Sequence, residues 1–341
     1  MTRSQTTSSP KSPARCLSLL AVFASLLLQA TGFAATVPDL YVAQVPLAES
    51  SAAALDDAFS RALADVLVKL TGQRSPLASP AVRQVIGSAA PLVSQYQVEA
   101  GGRLRVQFDS AALRRRLDAA NLPVWAAERP ATLIMLFGAD APDAPGSDGQ
   151  LVLDTAASRG LPVVLSLSPD GAIAATGDAL KGAQAEAARV GADLVLMGHR
   201  SPVSGVAAWR WTLIDSSGRT EWQGDAAEGV QHVADQLAAR YAVAAAASQR
   251  LRLEVQGVRS FADYGRLQDY LRGVGVIESL GITSLQDEVI RYDIVVRGGV
   301  SQLRDALALK PVLAPAGPQS ASADGMSVPA ADLVYRMADA P

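Results

Sequence analysis

The chain has 341 residues, with 30 Lys and Arg against 33 Asp and Glu, one Cys and two His. A composition that is 49% hydrophobic and 18% charged argues against a disordered chain, and a net charge of -3 argues against general nucleic-acid binding, which needs a basic surface. One Cys excludes an internal disulfide framework and any multi-cysteine metal centre, while the length allows two or three domains.

The chain opens with Arg3, Lys11 and Arg15 and no acid, then an apolar run from Cys16 to Leu28, then Gly32-Phe33-Ala34. A charged start, an apolar middle and a small-residue end predict a secretory signal peptide over 1–34, cut after Ala34. The alternative is a retained anchor, although the run is shorter than the ~20 residues that span a bilayer. Cys16 stands at the start of the run, where a lipid-modified Cys is not expected. Removing 1–34 takes three positive charges and the only Cys, so the mature chain carries net -6. No later stretch reaches ~18 uncharged apolar residues, so no transmembrane span is expected after signal removal. The expected place of work is the periplasm, as a soluble exported protein.

Three small sheet-plus-helix domains and a tail follow, so the expected fold class is α/β and α+β. The first, 37–123, reads as β-α-(α)-β-β-α. A strand over Leu40–Val45 precedes a helix capped by Ser50 or Ser51, with Leu55, Phe59, Leu63, Val66 and Leu70 inward and Gly72 as its stop. A weaker helix over Pro80–Ile86 comes next. Gln95–Glu99 and Arg103–Phe108 flank Gly101-Gly102 as a hairpin, and Asp109 caps a helix carrying Leu113 and Leu117.

The second domain, 129–248, holds three apolar strands, Thr132–Phe137, Leu161–Leu165 and Asp193–Met197, with helices near Gln150–Arg159 and Asp178–Val190 between them. This alternation predicts a partly parallel sheet. Trp209, Trp211 and Leu213 alternate with polar residues and turn at Asp215–Gly218 into an antiparallel hairpin, and a long helix with Val230, Val233, Leu237 and Tyr241 closes the unit. The third domain, 251–309, reads as β-α-β-β-α. Its helix is capped by Ser260 and carries Phe261, Tyr264, Leu267 and Leu271 on one side, and its hairpin covers Val276–Ser284 and Val289–Val296. The segment 310–341 is rich in Pro, Ala, Ser and Gly and reads as a flexible tail, although Asp332–Arg336 has a pattern that suits a sheet edge.

Reaction motifs are scarce. The sequence has no G-x-S-x-G, no P-loop, no G-x-G-x-x-G and no H-E-x-x-H, and two histidines cannot build a multi-histidine metal site, so no metal and no cofactor are expected and no catalytic residue is assigned. The candidate ligand-binding residues are Asp140, Asp143 and Asp148, with His199 and Arg200. They fall just after apolar strands, where open α/β sheets bind ligands. The bland readings are a surface loop and a solvated His beside an Arg. His232 and Asp235 share a helix face as at most a two-ligand pair. Arg114-Arg115-Arg116 spreads over ~200° of a helix and reads as a solvated face. Trp209, Trp211 and Trp222 read as core, with a sugar-binding platform as the other possibility.

Several short motifs in order resemble a known family. They are Leu40-Tyr41-x-Ala43-x-Val45-Pro46, Ala62-Leu63-x-x-Val66-Leu67-Val68-Lys69-Leu70-Thr71-Gly72, Leu122-Pro123-Val124-Trp125-x-x-x-Arg129-Pro130, Ala192-Asp193-Leu194-Val195-Leu196-x-Gly198, and Trp209-x-Trp211 with Trp222-x-Gly224. The family resembled is one of exported proteobacterial proteins known as domain of unknown function number two thousand and sixty-six. It implies no activity. The middle domain is similar in architecture to the amino-terminal domain of the TolB translocation protein, which implies an envelope scaffold or adaptor. The expected role is a non-catalytic binding or scaffold module that engages another envelope protein, with no nucleic-acid partner. The alternative is a hydrolase or small-ligand binder that uses the strand-end loops of the middle domain. The sequence leaves open whether the protein is an enzyme.

Overall fold

The computed structural model describes residues 35–49, 51–75, 78–138, 147–168, 179–201, 208–286, 288–316 and 331–338. The expected signal segment 1–34 and the loop residues Asp140 and Asp143 lie outside these residues. Among those described, eight α-helices and four small sheets form an α/β mix without a closed barrel.

The first unit starts with β1 (Ala35–Thr36) and β2 (Val42–Pro46), followed by α1 (Ala52–Thr71). The α1 helix starts where the Ser51 hydroxyl accepts from the Ala54 N–H, and it ends at Gly72, whose φ of 69° suits a residue without Cβ. Its expected stripe is inward, with Leu63, Val66 and Leu70 fully buried against the sheet. After α2 (Pro80–Ile86), the hairpin β3 (Val93–Glu99) and β4 (Arg103–Phe108) completes a three-stranded antiparallel sheet in the order β2-β4-β3. The α3 helix (Ser110–Ala119) follows, capped by Asp109. β5 (Glu128–Arg129) then returns to pair with β1, so the two ends of the unit are held together.

The second unit contains β6 (Thr132–Phe137), α4 (Asp148–Arg159), β7 (Val163–Ser168), α5 (Ala179–Val190), β8 (Leu194–Ser201), β9 (Ala208–Asp215), β10 (Gly218–Gly224) and α6 (Ala226–Tyr241). Its sheet order is β10-β9-β8-β6-β7, parallel from β7 to β8 and antiparallel beyond. Every residue of β6 is buried, as a strand covered on both faces requires. α4 and α6 cover one face over Leu136, Leu196, Trp209 and Trp211, while α5 covers the other over Met135, Phe137 and Met197. Trp211 is held between two glycines, since a Cβ on Gly229 or Gly198 would stand 2.3 or 2.5 Å from its ring. The expected strand boundaries shift at two places. Pro162 has no N–H, and its carbonyl accepts from Thr132, so β7 starts at Val163, two residues later than expected. Pairing with β9 continues to Ser201, which lengthens β8.

The third unit contains β11 (Ser248–Gln256), α7 (Phe261–Gly273), β12 (Ile277–Gln286), β13 (Val289–Arg297) and α8 (Val300–Ala308), as the pattern predicts. Two further strands correct the reading of 310–341 as a flexible tail. β14 (Leu313–Pro315) and β15 (Leu333–Met337) join the sheet in the order β12-β13-β11-β15-β14. β15 lies inside the sheet, parallel to β11, and buries Leu333, Tyr335 and Met337. Composition hides this, because the burial comes from three residues of one short strand in a segment otherwise rich in Pro and Ala. Phe261 also departs from its expected inward place and is 88% exposed, because it is the first residue of α7 and stands beyond the core that Leu267 and Leu271 fill.

Candidate functional site

Of the expected strand-end residues, Asp148, His199 and Arg200 are described, and they gather at one end of the second sheet but divide between its faces. β6 and β8 run parallel with Phe137 beside His199. The two rings stack at 4.4 Å with 6° between their planes, on the face that α5 covers. Burial, with Arg210 adding to it, holds the His199 imidazole below its ordinary pKa, so it is neutral at pH 7. Arg200 is the next residue along the strand, and alternation sends it to the α4 face. There its Nη2 lies 3.8 Å from Asp148 Oδ2. Asp148 opens α4 just after Ser147, whose hydroxyl accepts from the Gln150 N–H. Asp148 Oδ2 is buried, and no hydrogen bond reaches it among the described residues. The sheet therefore separates a neutral imidazole from a loose carboxylate–guanidinium pair.

The remaining motifs have structural partners. Trp209 and Trp211 are buried under α6, with the Trp211 Nε1 donating to the Asp225 carbonyl, so neither can serve as an exposed platform. Trp222 packs over His232 at 4.3 Å. Asp235 accepts from Arg74 and Arg159 rather than joining His232. Arg114 donates to the Gly275 carbonyl of the third unit. Among the described residues, no group of three His, Cys, Asp or Glu stands close enough to hold a metal, and no helix is long and apolar enough to cross a membrane.

Three buried arginines that the motif reading missed join the units. Arg129 is fully buried, and no carboxylate among the described residues pairs with it. Its guanidinium donates to five carbonyls, those of Lys69 (2.7 Å), Trp125 (3.3 Å), Ala126 (2.9 Å), Arg159 (3.2 Å) and Gly160 (2.8 Å). It also stacks on the Trp125 ring, 3.9 Å from its centre. Lys69 lies near the carboxyl end of α1, and Arg159 and Gly160 lie at that of α4. The cation thus takes its compensation from the negative ends of two helices and their unpaired carbonyls. Burial lowers its pKa to about 9, which leaves it charged at pH 7.

Arg159 crosses the same boundary in the other direction. Its Nη2 donates to the Gly72 carbonyl and to Asp235, and its Nη1 to Gln231. Arg297 joins the third unit to the first through Asp118 Oδ1 at 2.6 Å, with Glu278 on its second nitrogen at 2.8 Å. Burial alone would lower its pKa, but the two carboxylates hold it above the ordinary arginine value. Arg240 and Asp305 join α6 to α8 at 2.7 Å. An apolar cleft of about 30 Å³ remains where the units meet, lined by Trp125, Tyr241, Tyr270, Val274 and Lys310. It has room for about one water.

Residues 34–126 match the model of a family described as a domain of unknown function (DUF8605). A search among curated proteins finds no match. The family match agrees with the expected resemblance in that the family is uncharacterised. It carries neither the number two thousand and sixty-six, nor a proteobacterial source, nor the TolB likeness. The matched stretch covers the first unit up to Ala126 and stops short of β5. It supplies the Lys69, Gly72 and Trp125 carbonyls and Asp118, while the three arginines that grip them come from the rest of the chain.

Proposed function

We propose that the protein is exported to the periplasm, sheds residues 1–34, and works there as a binding or scaffold module that engages another envelope protein. The observation that carries the reading is the set of open sheet edges that bear exposed apolar side chains. β3 and β12 are outer strands, and Tyr96, Val98, Ile282 and Leu285 are each about half exposed or more on them. An outer strand offers a row of unpaired backbone groups to an added strand, and apolar side chains beside that row favour a polypeptide over a small polar ligand. The buried arginines support a scaffold role, because they hold three sheets in fixed relation. The charged start and apolar run of 1–34 support export.

The test is expression of the full chain in a double-membraned bacterium, with cell fractionation, sequencing of the mature amino terminus and crosslinking in intact cells. The expected result is a periplasmic product that starts at Ala35 and yields a crosslinked envelope protein. A cytosolic product with an intact amino terminus refutes export, and absence of any crosslinked protein refutes the adaptor role.

A second reading follows from Asp148. Its buried carboxylate oxygen, which no hydrogen bond reaches among the described residues, suits a small ligand that brings a donor to the strand ends. Asp148→Asn would abolish such binding, and an unchanged ligand-screening profile in that variant refutes it.

A further inference from the structure

The second unit carries a cavity at the end of its sheet away from His199 and Arg200. It lies between the last turns of α5 and the β8–β9 pair and has a volume of about 270 Å³. Room is left there because Ala187, Ala188, Gly191 and Ala192 bring almost no side chain to the wall. The floor is apolar and belongs to the core under α5, where Ala187, Val195 and Ile214 are buried. Val195 and Ile214 are register partners in β8 and β9, so the sheet itself fixes the floor.

The polar side chains around this floor are acidic or neutral. Asp193 stands just before β8, and its Oδ2 accepts from the Ala131 N–H at 2.9 Å. The Asp193 N–H donates in return to the Ala131 carbonyl at 2.8 Å, which holds the carboxylate in place. Asp193 Oδ1 accepts no hydrogen bond among the described residues. Asp215 stands at the rim, where its Oδ1 closes the β9–β10 turn by accepting from the Ser217 and Gly218 N–H groups at 2.8 and 3.0 Å. Gln184 adds an amide. Neither acid forms an ion pair among the described residues, and no Lys, Arg or His among them lines the cavity. α5 ends at Val190 beside the cavity, so its negative end has the same sign as the two acids. Burial pushes the Asp193 carboxyl above the ordinary carboxylate range, against the Ala131 N–H, and a cation seated beside it would relieve that cost.

These surroundings select among ligands. An anion meets no cationic group here. A metal ion lacks ligands, since no three of His, Cys, Asp or Glu converge among the described residues. A neutral apolar molecule would cover the Asp193 carboxylate without compensating it. We propose that the cavity binds a small organic ammonium, a primary amine on a short aliphatic body. The ammonium donates to Asp193 Oδ1, the charge of Asp215 and the end of α5 add to the attraction, and the aliphatic body lies on Val195 and Ile214. The inference is independent of export, of any envelope partner and of Asp148 at the other end of the sheet.

The test is methyl NMR of the full chain, purified as the cell processes it, titrated with butylammonium chloride. Butanol and sodium butyrate serve as the neutral and anionic counterparts. Butylammonium should give saturable shifts of the Ala187, Val195 and Ile214 methyl groups at millimolar concentration, as suits so small a ligand. Asp193→Asn should weaken binding by at least ~10-fold, because it removes the charge but keeps an acceptor for the Ala131 N–H. Ala188→Leu should weaken it as much by filling the cavity while leaving both acids in place. Ala188 is exposed on α5, so this variant keeps the parent circular dichroism and decides the matter even if Asp193→Asn unfolds the chain. Asp148→Asn should leave binding unchanged. Shifts that do not saturate overturn the proposal. So does equal binding of butanol or butyrate, or a butylammonium affinity that Ala188→Leu leaves at the parent value.

Discussion

Replacing Arg129 with Met tests the physical account of how the units are joined. Met fills most of the volume, so the change removes donors and charge rather than opening a large cavity. Five buried carbonyls lose their partner at once, among them those of Lys69 near the end of α1 and of Arg159 and Gly160 at the end of α4. A buried polar group left without a hydrogen bond costs about 1–3 kcal/mol, but relief of the desolvated cation offsets part of the sum. The net loss should match that of breaking other buried charge networks, about 3–5 kcal/mol. At about 1.6 °C per kcal/mol for a chain of roughly 300 residues, the melting temperature should fall by about 5–8 °C. Arg129→Lys should lose less, because an ammonium keeps the charge but reaches one helix end at a time. Differential scanning calorimetry of the full chain reads both effects. It should also show a broadened or divided transition as α1 is freed from α4. An Arg129→Met melting temperature within ~2 °C of the parent, with one sharp transition, would refute the claim that helix-end carbonyls compensate this cation.

His199 should titrate below the ordinary histidine value, because burial and Arg210 both disfavour its charged form. The unfolded chain then binds the proton more tightly, so stability contributed by this site is present above about pH 6.5 and is lost as pH falls toward the folded value. The chain has two histidines, so two-dimensional NMR resolves the titration, and Arg210→Ala should move the midpoint upward; a midpoint at or above 6.5 contradicts the stacked, buried placement. Gly229→Ala forces a Cβ to 2.3 Å from the Trp211 ring and should cost about 1–3 kcal/mol by urea denaturation, whereas Gly265→Ala, with nothing within 4 Å, should be neutral or slightly stabilising. Ending the chain after Ala316 removes β15 from between β11 and β14, so hydrogen exchange should show β11 amides losing protection; retained protection there would mean that β15 is dispensable to the sheet.

The local elements can be read from the order of residues, because their causes are local. Ser51 and Gly72 delimit α1 through a side-chain oxygen and a left-handed turn. Gly101-Gly102 marks the hairpin, and the uninterrupted apolar run 132–137 marks a strand covered on both faces. The expected strand stops at Met197, so the alternation that sends His199 and Arg200 to opposite sides of the sheet emerges only once pairing with β9 extends β8 to Ser201. What joins these elements emerges from long-range packing. Arg297 finds Asp118 across 179 residues of chain, and Arg129 finds carbonyls rather than acids, so no spacing or charge pattern announces either. β15 escaped the compositional reading for the same reason, since its five residues order against β11, far earlier in the chain, with only the three-residue β14 on the other side. Periodicity records which face of an element is buried; which distant surface buries it is set by packing, and that information is spread over the whole chain.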